Sequence, residues 1–524
     1  MYGKHMKKNT DFPIKVAAID LGTNAIRFLA CEFISRNRYK VLESERVPVR
    51  LGHNAFITGK LDEESQDSAI AALASFRSAM KRLCVVNYKA VATSAVRESA
   101  NGRSFVKRAK RETGIDIDII SGSEEARLVY VAVKRKIPFG AQRWLIVNLG
   151  GGSVEVCLAD NSGIIWNRTH TMGAVRLYEE LTAQGGEPSG FRQLIAEYIS
   201  TIKLPKKDNA GKAAGFIATG GNIEELAKLA KVPTDEAGTS IMRKTALRSV
   251  ISLLSKLTYE ERIEKLDLRK DKADVILPAA LVYEKFAAIA GASKIIVPYV
   301  GTREGIIFDI IDNITSHTTH ILEKEKQISS TAIEIGRRYQ FDELHGLHVA
   351  GLALSIFDQV KDIVDPEPND GNILLAAGIL HDIGTFISYK GHHKHSLYLI
   401  SQSEIPGLNE REVMMAANIA RYHRKSEPSI SHEYFTRLTP GEQKRVTRLA
   451  AILRIADALD REHTQNVKQV LVSLERPNLM LTLEASGDTR IEEWAIRNKG
   501  KLFEKAFDLK VIIRNSAFNK ECLV

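Results

Sequence analysis

The sequence predicts an α/β protein in its N-terminal part, followed by an all-helical domain and a small α+β module. Short β-branched runs alternate with amphipathic stretches from Ile14 to about Asp312, and from Ile333 to about Arg461 apolar residues recur at helical spacing instead. From about Val467 the strand pattern returns. A chain of 524 residues is too long for one core. Its length therefore suggests about three or four domains.

The α/β part contains seven short runs that we predict to be strands. They are KVAAID, KAVATS, IDIDII, WLIVNL, VEVCLA, GFIATG and KIIVPYV. Amphipathic spacing predicts helices over Asp67 to Leu83, Glu124 to Lys136 and Ala273 to Ile289. Two glycine-bearing hairpins, IDLGTNAIRF and VNLGGGSVEV, each head an α/β unit, and an internal duplication explains their common outline.

The remaining segments complete the predicted domain organisation. The polar stretch ITSHTTHILEKEKQISS is predicted to connect the α/β part to the helical domain. Near the C-terminus, QVLVSLERPNLMLTLEAS predicts a hairpin that turns at Pro477, before a helix near Ile491 to Phe507 and the strand LKVIIR. We therefore expect domains at 14–140, 141–313, 328–464 and 465–524.

Composition favours a soluble cytoplasmic protein. Hydrophobic residues make up 44% and charged residues 26% of the chain. No apolar run approaches the roughly 20 residues of a membrane span. The N-terminal MYGKHMKKNTDF lacks an apolar core, so we expect a disordered lead and not a signal peptide. Cys31, Cys84, Cys157 and Cys522 are far apart, which argues against a disulfide framework or a zinc ribbon and predicts reduced, mostly buried thiols.

The net charge of +10 favours an anionic partner such as phosphate, a nucleotide, polyphosphate or nucleic acid. Charge alone does not choose among these partners, and a solvated basic surface explains it equally well. The sequence contains no motif that recognises a nucleic-acid groove, so only the charge supports a specific nucleic-acid-binding role. We therefore expect no specific nucleic-acid partner and no membrane partner.

Three glycine turns at strand ends are candidates for phosphate binding, because glycine allows an anion to approach backbone N–H groups. Aligning the two hairpins pairs Asp20 with Asn148, Gly22 with Gly150, Thr23 with Gly151, and Asn24 with Gly152. A tight turn or bulge is the alternative explanation for the GGG run. The third turn, ATGGNIEEL, precedes an evident helix, whose N-terminus favours an anion.

This set of turns resembles the phosphate-binding elements of the actin-like, sugar kinase and heat-shock chaperone superfamily. The segments ATSAVRESANG, SGSEEARLVYVAV, MGAVRL, ADVILPAALV and GTREGII narrow the match. Together they closely resemble the exopolyphosphatase and guanosine pentaphosphate phosphohydrolase family, over essentially Val16 to Ile310. The resemblance implies two actin-like (ribonuclease H-like) domains. Sugar kinases and chaperones share this superfold, but the family-specific segments favour the phosphohydrolase family over them.

The resemblance also implies roles for individual residues. Glu125 is the implied general base, Arg97 the implied phosphate clamp, and Glu124 a second acid that caps the helix, binds metal or assists catalysis. The implied phosphate-binding residues are Gly22, Thr23, Asn24, Thr93, Ser94, Gly150, Gly151, Gly152, Ser153, Gly220 and Gly221. A surface ion pair is the alternative for Arg97, and favourable interaction with the helix dipole is the alternative for the two glutamates.

Magnesium is expected in this site, near Asp20, Asn148 and Glu155, because hard divalent cations prefer carboxylate oxygens and phosphate. The family usually has aspartate at the position of Asn148. Asparagine keeps the shape but is neutral and also donates hydrogen bonds. This departure puts metal affinity and turnover in question, so the alternative is a regulator that binds polyphosphate or an alarmone with weak turnover.

The implied substrates are polyphosphate and guanosine pentaphosphate (pppGpp), and these motifs do not choose between them. Cationic residues are expected along the path of the remaining phosphates. On position alone the candidates are Arg168, Arg176, Lys272 and Arg303. The resemblance further implies a homodimer.

The helical domain contains an ordered set of metal-ligand residues. GILHDIG provides His381 and Asp382, with His345 upstream and Asp457 downstream. This order resembles the HD superfamily of metal-dependent phosphohydrolases, and the residue types suit Mn²⁺, Fe²⁺ or Zn²⁺. His392, His393, His395 and His423 are expected to extend the ligand set or to receive phosphate. A third hypothesis therefore assigns hydrolysis to this domain, with the α/β part as its regulator.

Overall fold

The computed structural model describes residues 12–53, 55–183, 193, 195–197, 215–315 and 318–515. The chain forms two compact units, Met1–Glu323 and Lys324–Val524. Cys522 and all but the last residue of the predicted N-terminal lead lie outside the described residues. Cys31 and Cys157 are buried as expected, whereas Cys84 is exposed. Among the described helices, none combines the length and apolar character that a membrane crossing requires.

The first unit begins with a five-stranded sheet of order β3-β2-β1-β4-β5. Its strands are β1 Ile14–Leu21, β2 Ile26–Ser35, β3 Arg38–Val47, β4 Asn87–Ala92 and β5 Ile117–Ile119. Strands β1, β2 and β3 pair antiparallel, whereas β1, β4 and β5 pair parallel. The exposed edge strand β3 was not predicted, because its charged sequence lacks a buried face and its pairing with β2 defines it.

The second sheet repeats this topology with one added strand, in the order β10-β11-β9-β6-β7-β8. Its strands are β6 Trp144–Leu149, β7 Val154–Asp160, β8 Gly163–His170, β9 Gly215–Thr219, β10 Ser240–Arg243 and β11 Lys294–Val297. In both sheets an antiparallel hairpin leads into parallel pairing with the next strand. The repetition agrees with an internal duplication and with two actin-like domains, and all seven predicted strands are present.

Helices flank both sheets of the first unit. They are α1 Ala55–Thr58, α2 Glu63–Arg82, α3 Ser94–Glu98, α4 Gly102–Thr113, α5 Gly122–Lys136, α6 Ala174–Ala183, α7 Gly221–Leu229, α8 Lys244–Leu254, α9 Tyr259–Leu266, α10 Lys270–Ala273, α11 Ile276–Ile289 and α12 Thr302–Ile314. Although α12 follows the second sheet in sequence, it packs against α5 and β1. At Gly305 a side chain would collide with the backbone of Leu128, so glycine permits this close approach.

The second unit is helical up to Ala458. Its elements are α13 Thr318–Arg338, α14 Glu343–Gln359, α15 Lys361–Val364, α16 Asp370–Leu380, the 3₁₀ helix Ile383–Phe386, α17 His392–Ser401, α18 Glu410–Arg421, α19 Glu433–Thr436 and α20 Pro440–Ala458. The boundary between the two units lies within the predicted polar connector, most of which is helical because it belongs to α13. Ile328, Ala332 and Ile335 lie on one face of α13 and are buried in the core, which stabilises a helix despite its polar composition.

The C-terminal segment forms a three-stranded sheet as predicted, and two helices stand where one was predicted. Its elements are β12 Val467–Glu475, β13 Asn478–Ala485, α21 Arg490–Lys499, α22 Lys501–Phe507 and β14 Lys510–Asn515. The hairpin between β12 and β13 turns at Pro477. Val470 and Phe503 of this segment belong to the same hydrophobic cluster as Ile452 of α20. The helical domain and the C-terminal segment therefore share one core.

Candidate functional site

The glycine turns of the two sheets meet at a cleft of about 620 Å³ in the first unit. Most of the residues predicted to bind phosphate or metal line this cleft. They are Asp20, Gly22, Thr23, Asn24, Thr93, Ser94, Glu125, Asn148, Gly150, Gly151, Ser153, Gly220 and Gly221. Gly152, Glu155, Arg97 and Glu124 do not belong to the described cleft lining.

The turns of the two hairpins have the same backbone geometry. In the first hairpin, the amide of Gly22 donates to the carbonyl of Ala25 at 3.2 Å. In the second, the amide of Gly150 donates to the carbonyl of Ser153 at 3.0 Å. The alignment that pairs Gly22 with Gly150 therefore holds in three dimensions.

The charges on the two hairpins differ. The register of the first hairpin places Asp20 opposite Arg27, whereas that of the second places Asn148 opposite Glu155. The salt bridge of the first pair joins Arg27 Nη1 and Asp20 Oδ2 at 3.2 Å. Each hairpin thus contains one carboxylate in this pair of positions, on the first strand in the first hairpin and on the second strand in the second.

The glycine run of the second hairpin is required by close packing. A Cβ atom at Gly151 would lie 2.7 Å from Cβ of Thr23 on the facing loop, and one at Gly152 would lie 2.6 Å from Oγ of Ser94. Gly173 in turn approaches the backbone of Gly151, where an added Cβ would lie only 2.2 Å from its carbonyl carbon. These contacts bring the two loops face to face across the cleft.

Asn148 connects the two buried glutamates of the site. Its Nδ2 donates to Glu155 Oε2 at 2.8 Å and to Glu125 Oε1 at 3.4 Å. Its Oδ1 accepts a hydrogen bond from Thr219 at 3.1 Å, and Ser153 donates to Glu155 Oε1 at 2.6 Å. Oε2 of Glu125 is buried and has no hydrogen-bond partner among the described residues. Asn148 and Ser153 together therefore supply a donor to each oxygen of Glu155, and one oxygen of Glu125 is left available.

Burial and neighbouring acids make Glu125 a proton acceptor of raised basicity. Burial, the charge of Glu155 and that of Asp20 raise the pKa of Glu125 well above its usual value, although Arg97 and Arg27 act against this shift. Burial also raises the pKa of Glu155 and of Asp20. A buried carboxylate with a raised pKa in a cleft is the chemistry that general base catalysis requires.

Glu124 lies in a buried ion pair outside the described cleft lining, and a metal-binding or catalytic function for it stays a prediction. Both of its carboxylate oxygens accept hydrogen bonds of 2.8 Å from Arg127, which also donates to Asp309 at 2.9 Å. This buried ion pair joins α5 to α12. Arg97 donates to the carbonyl of Ile120 at 2.8 Å, so its guanidinium is held near the glutamates but outside the described cleft lining.

Two cationic side chains reach the N-terminus of α7 at the third glycine turn. A Cβ atom at Gly221 would lie 3.3 Å from Nζ of Lys272 and 3.4 Å from Arg27. Lys272 is buried and donates to Asn222 at 2.6 Å. Burial, together with the charges of Arg27 and Arg46, lowers the pKa of Lys272 to about 7. Backbone amides and two cations thus converge where a phosphate would bind.

Of the four cationic residues predicted along the phosphate path, Lys272 and Arg303 line the cleft. Arg168 and Arg176 are absent from the described lining. Arg176 instead donates to the carbonyl of Gly152 at 3.0 Å and lies over the ring of Phe56, so it supports the glycine loop from behind.

The second unit brings His345, His381 and Asp457 together. Nε2 of His345 lies 3.2 Å from Nε2 of His381, and both nitrogens lie 3.8 Å from Oδ1 of Asp457. Nδ1 of His345 contacts Asp460 at 2.8 Å, and Nδ1 of His381 contacts the carbonyl of Gly378 at 2.7 Å. These outer contacts fix both rings with Nε2 directed at the centre.

Asp382 lies beside two further histidines. Its Oδ1 is 3.1 Å from Nε2 of His392 and 3.3 Å from Nε2 of His423. His393 and His395 belong to none of the described groups of metal-ligand atoms. We call the six converging residues the histidine cluster: His345, His381, Asp382, His392, His423 and Asp457.

Sequence reasoning missed two residues that position the site side chains. Arg27 pairs with Asp20, and the hairpin register would have indicated it, since position 27 faces position 20 across the turn. Asp460 orients His345, but the two residues are far apart in the sequence, so no local motif indicated their contact.

The repeated sheets and the facing glycine turns define a protein of the actin-like class. Residues 34–314 match the model of the Ppx/GppA phosphatase family, and residues 329–496 match that of Ppx/GppA phosphatase domain III. The chain belongs to the Ppx/GppA phosphatase family.

Curated relatives match this chain over most of its length. The guanosine-5'-triphosphate,3'-diphosphate pyrophosphatase of Vibrio vulnificus is 25% identical over 480 residues, which cover 90% of this chain and 92% of that protein. The protein of the same name from Pseudoalteromonas translucida is 26% identical over 487 residues, covering 88% and 92%. A solved exopolyphosphatase from Cytophaga hutchinsonii has the same fold over 57% of this chain and 98% of its own, with 24% identity and a TM-score of 0.53.

Proposed function

We propose that this phosphoanhydride hydrolase removes the terminal phosphate of guanosine pentaphosphate or of inorganic polyphosphate in the cleft of the first unit, with Glu125 as general base. The main observation is the environment of Glu125, whose raised pKa and unpartnered Oε2 suit it to accept a proton from water. The names of the relatives support this substrate class, because they describe a guanosine pentaphosphate-type pyrophosphatase and an exopolyphosphatase.

The proposed reaction transfers the terminal phosphoryl group to water. The water oxygen forms a bond to phosphorus, the bridging P–O bond breaks, and the shortened phosphate chain leaves with the bond electrons. Glu125 takes the proton that the attacking water loses. The glycine turns, Arg27 and Lys272 hold the phosphate oxygens, because such reactions depend chiefly on positioning and charge neutralisation.

We propose Mg²⁺ as the cofactor of this cleft. Asp20, Asn148 and Glu155 are the proposed ligands, of which Asp20 and Asn148 line the cleft, and carboxylate oxygens together with phosphate are what Mg²⁺ prefers. The carbonyl oxygen of Asn148 accepts a hydrogen bond from Thr219, and its nitrogen faces the glutamates. A bound magnesium ion would neutralise charge on the phosphate oxygens.

A substrate panel tests this proposal. Purified protein would be given pppGpp, polyphosphates of several lengths and ATP, with and without Mg²⁺, and phosphate release would be measured. We expect Mg²⁺-dependent release from pppGpp or polyphosphate and much slower release from ATP. Absence of release from both preferred substrates would refute the proposed reaction.

A regulator that binds these substrates with weak turnover is the second candidate, and Asn148 favours it. Its amide engages both glutamates where an aspartate would add a metal ligand. In that case the wild type binds polyphosphate or pppGpp tightly yet releases little phosphate at high enzyme and Mg²⁺ concentrations. The substitution Asn148→Asp should then raise turnover, whereas rapid turnover by the wild type rules this candidate out.

We also propose that the second unit has an HD-type metal site, in which His345, His381, Asp382 and Asp457 hold a divalent transition metal. The convergence of two Nε2 atoms with Asp457 supports this assignment. Hydrolysis by this site is the third candidate function. Metal analysis and phosphate release of Asp382→Ala would decide it, since loss of metal with full phosphatase activity assigns the reaction to the cleft.

A further inference from the structure

We propose that Asp271 is a positioning residue of the phosphate site, which joins Asn24 and Arg46 on one side of the cleft to the short helix that bears Lys272. This inference rests on the phosphate binding proposed for the cleft and deepens it. Asn24, Arg46 and Lys272 line the cleft, whereas Asp271 is buried and does not belong to its described lining. Asp271 therefore acts on phosphate through these three residues.

The contacts of Asp271 cross from the side of the second sheet to that of the first. Nδ2 of Asn24, in the first glycine turn, donates to the backbone carbonyl of Asp271 at 2.7 Å and to its Oδ2 at 3.2 Å. The same Oδ2 accepts a hydrogen bond from Nη2 of Arg46 on β3. One carboxylate oxygen thus holds a residue of the phosphate-binding turn and an arginine of the cleft.

The pairing of β1, β2 and β3 explains why Arg46 takes its acid from outside its own sheet. The register places Arg27 directly opposite Asp20 on one side and directly opposite Arg46 on the other. Like charges at directly opposed positions repel each other. Arg27 pairs with Asp20, whereas the acid that Arg46 contacts is Asp271. The side chains of Arg46 and Asp271 are 19% and 9% exposed, so solvent screens this pair weakly.

A second ion pair joins the same two segments. Nη2 of Arg50 lies 2.7 Å from Oδ2 of Asp274, three residues after Asp271. The amide of Arg50 also donates to the carbonyl of Asn24 at 3.2 Å, so the loop after β3 supports the first glycine turn. Lys272 lies between the two aspartates in the sequence. Its backbone is therefore fixed on both sides to residues that hold the first glycine turn.

The consequence is that phosphate-binding groups from both sides of the cleft are held in place before substrate arrives. Groups that are already ordered bind a ligand more tightly, because less conformational freedom is lost on binding. Loss of the Asp271 carboxylate should therefore weaken phosphate binding. Electrostatics alone predicts the opposite, since removing a negative charge near the cleft favours an anion. The sign of the change thus distinguishes positioning from a simple charge effect.

Binding of inorganic tripolyphosphate to the full-length protein tests the inference without depending on turnover. Isothermal titration calorimetry in buffer without Mg²⁺ would give Kd for the wild type and its variants. We expect Asp271→Asn to raise Kd about tenfold. The matched control Asp267→Asn makes the same change of charge at an exposed residue of the same segment and should bind no more weakly than the wild type.

The outcomes separate this inference from the proposed function. An unchanged or lower Kd in Asp271→Asn, beside a wild type that binds tripolyphosphate, overturns the positioning role alone. A wild type that does not bind tripolyphosphate overturns phosphate binding in the cleft as well. If Asp271→Asn does not fold, as judged by circular dichroism, Asp271→Glu replaces it. That variant keeps the charge but displaces the carboxylate, and a wild-type Kd would then overturn the inference.

A double-mutant cycle tests whether Asp271 acts through Arg46. Arg46→Gln breaks the same ion pair from β3. If the two residues act as one unit, Kd of the double variant should lie within about twofold of that of the weaker single variant. Effects that multiply would overturn the assigned connection. Where phosphate release is measured, KM of Asp271→Asn should rise with little change in kcat, whereas partial unfolding would lower kcat and leave KM unchanged.

Discussion

The acidic cleft of the first unit and the histidine cluster of the second place ligand-type residues in opposite electrostatic situations. In the cleft, Asn148 and Ser153 donate to Glu155, and Arg27 pairs with Asp20. In the cluster, Nε2 atoms face other Nε2 atoms and the buried Oδ1 of Asp382. Buried polar groups are stable only with partners. Asp20 and Glu155 of the cleft therefore have donors from the protein, while Oε2 of Glu125 does not; the cluster has two cationic donors, Arg424 on His392 and Lys499 on Asp457, and leaves Oδ1 of Asp382 without a described partner.

Asn148 accounts for much of this difference. An aspartate there would place a third carboxylate beside Glu125 and Glu155, and a bound cation or protonation of one acid would be needed to relieve their repulsion. The amide supplies a donor in place of that charge. The cleft can therefore keep its acids in position before substrate and Mg²⁺ bind.

The variant with the largest expected effect tests the proposed role of Glu125 as general base in the cleft. Glu125→Gln preserves the shape of the side chain but removes its capacity to accept a proton. We expect kcat for phosphate release to fall by about 10²–10⁴-fold. Steady-state phosphate release with the preferred substrate would measure the change. An unchanged kcat would exclude Glu125 as the base.

Chelation should separate the two regions. A ligand at about 1,000 times its Kd stabilises a fold by about 4 kcal/mol. Removing transition metal should therefore lower the unfolding temperature of the second unit and leave that of the first unchanged. Calorimetry before and after dialysis with a chelator would measure the unfolding temperature of each unit. With Mg²⁺ kept in the buffer throughout, equal shifts of both units, or none, would contradict the proposed transition-metal site of the second unit.

Glu124→Gln should affect stability and not chemistry. Removing one partner of a buried ion pair is expected to lower the free energy of unfolding by about 3 kcal/mol, because Arg127 would keep an incompletely paired charge. Denaturant unfolding would measure this loss, and kcat below the unfolding temperature should match that of the wild type. This variant is thus the matched control for Glu125→Gln, and a large loss of kcat in a folded protein would support a catalytic role for Glu124.

The smallest expected effect concerns the pH dependence of substrate binding. The pKa of Lys272 is lowered to about 7, so its ammonium is present below that pH and is lost above it. We expect KM for polyphosphate or pppGpp to rise by up to about tenfold per pH unit above 7. Lys272→Arg keeps its charge and should flatten this rise. The same pH dependence in both proteins would show that Lys272 does not bind phosphate.

The sequence was informative where a local pattern matches a local structure. Buried parallel strands such as KVAAID are nearly continuous apolar runs, so all seven predicted strands occur. It missed the edge strands β3, β8 and β10, which pairing with β2, β7 and β11 defines, and the helix α13, which burial of a few apolar residues stabilises. Neither cause is visible in a short window of sequence.

The candidate sites followed the same rule. The glycine turns and the His-Asp pair are local motifs, and they identified the regions of both sites. The different environments of Glu124 and Glu125 were not predictable, because adjacent residues on a helix face different directions and only packing against α12 engages the first of them. The partners Arg27 and Asp460 likewise depend on which strands and helices become neighbours.

By itself, the sequence determined the order of α/β, helical and α+β parts, the duplicated hairpins and the residue types available for phosphate and metal chemistry. Only the tertiary structure decided which of those residues have partners. The amide of Asn148 lies between two glutamates and four imidazoles direct their Nε2 atoms at two carboxylates because distant segments pack together. Basicity and metal affinity depend on burial and on neighbouring charges, which exist only once the chain has folded.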